Sequence, residues 1–131
     1  MVNSDLLILL ARVMLMALFV MTGWQKLTDF AGTVTYMKST AAPWPALSAV
    51  IAVVVEFFFG IGIILGLWAR VLAVVFIAFT LGTALLGHRY WRLQGAARHE
   101  NLLNFYKNVS IAGGLLLLAI TGPGRYALIG P

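Results

Sequence analysis

The chain has 131 residues, of which 62% are hydrophobic and 10% charged, and its mean hydropathy is +0.97. An ordinary soluble domain carries roughly a quarter charged residues and under half apolar ones, and a chain this short has too much surface for its volume to hide such an excess. Lipid is the solvent this composition demands. Nine Lys and Arg against four Asp and Glu leave a formal charge of +5, and there is no cysteine. Disulfide frameworks, thiolate metal sites and thiol–disulfide relays are therefore excluded.

The first apolar stretch runs from Leu6 to Trp24 and is broken by Arg12. A secretory signal would open with basic residues and close on a small-residue cleavage site. Here Asp5 precedes the stretch and nothing basic comes before Arg12, so it reads as a retained helix. The second stretch runs from Ala46 to Trp68 with Glu56 as its only charge; Pro43 and Pro45 precede it, where a fixed φ suits a helix start. The third is the uncharged run Val71 to Gly87, which is slightly short and is expected to continue through His88 to Trp91. The fourth runs from about Asn101 to Thr121, stopped by Gly122-Pro123-Gly124. Approximate spans are thus 6–26, 46–68, 70–91 and 101–121, in one domain covering 1–131. No alternating strand pattern is present, and backbone groups must be satisfied internally in hydrocarbon. The predicted fold is all-α, an integral membrane four-helix bundle.

Trp68-Ala69-Arg70 leaves room only for an antiparallel hairpin between spans two and three. In the first loop, Phe30, Val34 and Met37 share one face of Asp29 to Ser39, with Thr28 as a candidate cap, which predicts a short helix lying in the membrane interface. Ala11-Arg12-Val13 and Ala69-Arg70-Val71 echo each other near the starts of spans one and three, but three residues are too few to establish a repeat.

Lys26, Lys38, Arg89, Arg92, Arg98 and Lys107 gather at the end carrying loops one and three; Arg70 and Arg125 lie at the other, with Arg12 buried nearer to it. The basic-loop rule then places loops one and three in the cytoplasm and both termini outside. Topology and contact with anionic headgroups account for the charge without any nucleic acid.

An ionisable residue within a span is a functional candidate by default. Glu56 sits at the centre of span two, with Ala49, Ala52 and Gly60 on its face. One reading is a structural pair with Arg12, the cation at similar depth from the opposite surface. The other is a protonated, proton-handling carboxylate or a ligand for a polar headgroup. On span one, Arg12, Met16, Phe19, Gly23 and Lys26 form one stripe, with the glycine where another backbone can approach. Asn101, Asn104 and Asn108 line one face of span four, beside Lys107 and Ser110. The end carrying loops one and three therefore gathers Lys26, Tyr36, His88, Trp91, Asn104, Lys107 and Asn108. A quinone carbonyl or an anionic group would accept hydrogen bonds from His88, Asn108 and Lys107, with Trp91 or Tyr36 as an aromatic wall. An aromatic belt with snorkelling lysines is the alternative. A bis-histidine haem is rejected, because His88 and His99 flank a single loop. His88, His99 and Glu100 are likewise a poor set for a metal. Gly62 and Gly66, and Gly113 and Gly114, read as close-packing devices, within the bundle or between protomers.

Several segments resemble the DoxX family of small bacterial membrane proteins: Gly23-Trp24-Gln25-Lys26-Leu27, Phe30-Ala31-Gly32-Thr33, Glu56, Arg70 after a Gly/Leu turn, and Gly122-Pro123-Gly124-Arg125-Tyr126. Gly87-His88-Arg89-Tyr90-Trp91 and the stretch from Asn104 to Gly113 resemble one branch of it closely. The resemblance covers about Leu6 to Leu128 and implies a four-helix bundle in the bacterial inner membrane, with the termini periplasmic if the charge rule holds. Members of the family are associated with sulfur or thiol oxidation and electron transfer to quinone, or anchor soluble redox enzymes; distant relatives assist assembly. It draws attention to Glu56, His88, Trp91, Lys107 and Asn108 without giving any of them a catalytic role. Three functions follow as expectations. The first is an accessory protein, no enzyme on its own, that holds a lipid or quinone and docks a redox partner through its basic loop. The second is a catalytic quinone-linked oxidoreductase subunit acting on thiosulfate or a thiol, against which the lack of cysteine weighs. The third is a small transporter or proton pathway using Glu56, against which the lack of a second mid-membrane carboxylate weighs. A homo-oligomer through Gly62 and Gly66 is a further expectation.

Overall fold

The structure, a computed structural model, describes residues 3–131. Helix α1 spans Ser4–Thr28, α2 Phe30–Lys38, α3 Pro45–Leu65, α4 Ala69–Gly87 and α5 Gly95–Thr121. All but α2 meet the length and hydropathy of a membrane span, with α4 continued by a short 3₁₀ turn, Tyr90–Arg92. The four-span bundle expected from composition is present, and α2 lies where the interfacial helix was expected. Asp29 rather than Thr28 caps α2, accepting from the Gly32 amide at 3.2 Å. Thr28 instead donates back to Trp24 and Gln25 carbonyls.

Three boundaries differ from those read off hydropathy. Span two ends at Leu65, because Gly66 turns left-handed at φ 74°. The amides of Leu67 and Gly66 bond back to the carbonyls of Gly62 and Ile63, which is a Schellman stop. Helix α4 ends at Gly87, with His88 at φ −127°, so the expected continuation to Trp91 is broken before the 3₁₀ turn. Helix α5 begins at Gly95, six residues before the apolar run. Hydropathy marks the part of a helix that crosses lipid, and a helix can outrun that part into water.

Helix α1 packs on α3 and α4 packs on α5, giving two antiparallel pairs. They meet in a core of Met16, Phe19, Val55, Ile63, Ala73, Phe76, Leu115 and Leu118. Phe19 and Phe76 join the pairs edge to face, with ring centroids 4.9 Å apart. The stripe Arg12, Met16, Phe19 and Gly23 is buried as its spacing predicts.

The end of the bundle holding both termini is closed by two arginines. Arg12, 1% exposed, donates to the carbonyls of Pro123 (2.6 Å), Ile64 (2.7 Å) and Tyr126 (2.7 Å). Arg70 donates to Ile120 (3.1 Å) and Thr121 (3.3 Å). Each thus neutralises the carbonyl end of the helix packed against its own, where the dipole is negative. The three-residue echo between spans one and three has the same structural job in both halves. Beyond α5 the chain folds back over the second loop: Leu128 and Ile129 amides bond Leu65 and Gly66 carbonyls, and Trp68 bonds Ile129 in return. Space beside Gly66 is taken by Ala127, and beside Gly62 by Leu72. These glycines serve contacts within the chain.

Candidate functional site

At the opposite end the two helix pairs separate around a cavity of about 500 Å³. Leu18, Phe19, Ile51, Phe79, Leu86 and Ile111 supply its apolar walls, and Lys26, Tyr36, Glu56, His88 and Asn108 its polar groups. Leu18 and Ile51 are also 49% and 46% exposed, so part of the lining reaches the surface of the bundle.

Glu56 lies in a π-helical turn, Val54–Phe59, where the i→i+5 pattern interrupts α3. Such turns recur at functional sites. Here α1 crosses so closely at Gly23 that a Cβ would come 2.6 Å from the Phe57 amide nitrogen. That contact fixes the register. Glu56 faces Thr22 and Lys26, and its Oε1 accepts from the Thr22 hydroxyl at 2.7 Å and the Lys26 ammonium at 3.1 Å. Arg12 and Glu56 do not pair, contrary to the expectation. Arg12 lies eleven residues, about 16 Å of helix, from Gly23 and is occupied by carbonyls at the other end. Depth counted from the two surfaces was the misleading measure; the register of the antiparallel pair decides who meets. Among the described residues Lys26–Glu56 is the only ion pair, and no protein donor reaches Oε2 of Glu56.

His88 Nδ1 lies 3.0 Å from Oδ1 of Asn101, whose own amide donates to the Ala97 carbonyl. This contact ties the ring of His88, at the end of α4, to the first turns of α5. Asn108 donates to Thr83 Oγ1 (3.3 Å) and the Thr80 carbonyl (3.4 Å), which ties α5 to α4 at the cavity wall. Thr22 and Thr83 were missed as site residues, and Asn101, although on the asparagine face singled out in span four, was left out of the cluster. Thr22 carried a signal, since it neighbours Gly23 on the same helix.

The structure brings together four of the seven clustered residues, Lys26, Tyr36, His88 and Asn108, and adds Glu56. Trp91, Asn104 and Lys107 lie outside the cavity. Trp91 packs against Tyr90 and Phe105, Lys107 is exposed, and Asn104 is half-buried away from the wall. On an α-helix Lys107 points about 100° away from Asn108, and only the latter faces α4. Among the described residues no group of three or more His, Asp or Glu is placed to hold a metal ion.

Four apolar spans around a sparsely polar cavity define a small integral membrane protein. The chain belongs to the DoxX family, whose model matches residues 7–89. It is 53% identical over 122 residues to the inner membrane protein YphA of Escherichia coli (strain K12), covering 93% of this chain and 87% of that protein. To the inner membrane protein YqjF of the same organism it is 42% identical over 125 residues, covering 95% and 91%. No solved structure matches the chain. This is a small, multi-pass inner-membrane protein.

Proposed function

We propose that this protein is an accessory membrane subunit that holds a neutral-headed amphiphile, quinone-like in size, between its two helix pairs. The cavity is the observation that carries this: apolar walls that in part reach the surface of the bundle, with Lys26 and Glu56 at its polar side. The charge of Lys26 is already matched by Glu56. An anionic head would enter without a free cation to meet it, and the desolvation of its charge would go uncompensated. A carbonyl or hydroxyl head finds donors on Lys26 and Tyr36, an acceptor at Glu56 Oε2, and the His88 ring as a further polar partner. Having no cysteine, the chain supplies no thiol couple of its own. Electrons exchanged with a bound quinone would pass to or from a partner protein, which favours the accessory reading over the catalytic one.

Gly82 gives a clean test, because it lines the cavity and a Cβ there meets nothing within 4 Å. Gly82→Leu therefore fills the cavity without a first-atom clash and improves helix propensity. Purified protein in nanodiscs is expected to retain decylubiquinone, while Gly82→Leu loses at least tenfold in affinity and keeps its thermal stability. Lys107→Met, outside the cavity, is expected to bind like the wild type. Equal retention by wild type and Gly82→Leu would remove the cavity as the site.

The orientation proposed for the chain places loops one and three in the cytoplasm, which follows from the bias of Lys and Arg toward that end. A cysteine at Gln94 is then protected from a membrane-impermeant thiol reagent in intact cells, and one at Gly130 is labelled. The reverse pattern would invert the orientation and move the cavity mouth to the periplasmic half.

A further inference from the structure

Outside the cavity, on the same end of the bundle, the 3₁₀ turn and the start of α5 build a second feature that the amphiphile reading does not use. Tyr90, Trp91, Phe105 and Tyr106 form a continuous aromatic cluster, with Tyr90 5.3 Å from Trp91 and 5.4 Å from Phe105 between centroids. The Arg98 guanidinium stacks 5.4 Å from the centre of the Tyr90 ring and donates through Nη1 to the Tyr90 carbonyl at 3.2 Å. Arg89 is held by the Leu85 carbonyl at 2.9 Å, and Arg92 stands exposed at the end of the turn. The acid of this segment, Glu100, pairs with none of them, because the only ion pair among the described residues is Lys26–Glu56. Three arginines therefore carry uncompensated charge beside an aromatic surface on which Trp91 and Tyr106 are 46% and 54% exposed.

Depth decides what meets this surface. A span needs about 20 residues, and α5 has 27, so its first turn, with Arg98, projects to the level of the lipid headgroups. Tyr106 lies eight residues further along, about 12 Å deeper. A guanidinium fixed by a ring face and a backbone carbonyl still presents donors in a planar fork, the geometry that suits phosphate.

We propose that Arg98, supported by Arg89 and Arg92, binds the phosphate of an anionic phospholipid whose glycerol and upper acyl carbons lie against Trp91 and Tyr106. The site is separate from the cavity and does not depend on what the cavity holds. Charge complementarity selects an anionic lipid over a zwitterionic one, because a choline or ethanolamine group would bring a cation into a patch where three arginines outnumber the single carboxylate, Glu100.

The full chain in detergent micelles, titrated with dioleoyl-phosphatidylglycerol or dioleoyl-phosphatidylcholine and read by native mass spectrometry, tests this. The wild type is expected to retain phosphatidylglycerol about tenfold more tightly, the size of one charged hydrogen bond. Arg98→Gln should bring that preference to near unity with helicity intact, and Arg98→Lys should fall between, keeping charge but losing the fork. Lys38→Gln, a basic residue at the same end, should leave the preference unchanged. Equal retention of the two lipids by the wild type would overturn the proposal and leave the patch to an acidic protein. Equal losses from Arg98→Gln and Lys38→Gln would overturn it in favour of diffuse attraction. Displacement of the lipid by millimolar glycerol phosphate would show that the acyl part contributes nothing, and would overturn the lipid as occupant.

Discussion

Arg12→Met is expected to cost more stability than any other single substitution of a charged residue, about 3 kcal/mol or more. Three carbonyl oxygens, from Pro123, Ile64 and Tyr126, depend on this one buried guanidinium. A buried acceptor left unsatisfied costs roughly 1–3 kcal/mol, though membrane interiors return part of that through new partners. Methionine keeps the stem and removes every donor, so the loss isolates the hydrogen bonds from the packing. Because Arg12 meets α3 at Ile64, eight residues or about 12 Å of helix from Glu56, Arg12→Met and Glu56→Gln should add within about 0.5 kcal/mol. Equilibrium unfolding in mixed micelles of the two single variants and the double variant measures both statements. A strong coupling between the two positions would contradict the register described for α1 and α3.

Gly23→Ala carries the second large effect, and here the cause is backbone. A Cβ would meet Phe57 N at 2.6 Å and Glu56 C at 2.9 Å, atoms that cannot rotate away. Helix α1 must then lift from the π-turn, at a cost of about 1–3 kcal/mol, the range for forced overpacking. The displacement also separates Lys26 and Thr22 from Glu56, so retention of decylubiquinone should fall together with stability. Gly113→Ala is the matched control: nothing lies within 4 Å of its Cβ position, and the gain in helix propensity should leave stability unchanged or raised by up to about 1 kcal/mol. Thermal unfolding of the two variants side by side checks the contrast. If Gly23→Ala is as stable as Gly113→Ala, the close crossing at Glu56 is wrong.

The cavity and the closed end divide the molecule. The end with Arg12, Arg70 and the folded-back residues after α5 is closed by hydrogen bonds from side chains and backbone. The other end keeps a volume that the chain itself does not fill. Ligand-induced change, if ligand binds there, is therefore expected where α2 and the loop after α4 border the cavity.

The sequence by itself determined the solvent, the number of spans, and the faces that turn inward. These follow from local quantities: hydropathy summed along one helix, and a 3.6-residue period that put Arg12, Met16, Phe19 and Gly23 on one buried stripe. Gly23 was legible as a point of close approach, and Lys26, Tyr36, His88 and Asn108 as members of one polar end. Tertiary structure alone decided partners. Whether Glu56 meets Arg12 or Lys26 depends on how far α3 slides along α1, and a slide of one turn changes nothing in either helix's own pattern. The π-turn at Glu56 is invisible for the same reason, since Val54 to Phe59 is equally apolar in either hydrogen-bond register. Gly66 read as a packing glycine because spacing cannot reveal a left-handed φ, and Lys107 read as a site residue because sequence adjacency to Asn108 hides a turn of 100° about the helix. Period and composition act within one helix; register and cavity arise only when helices touch.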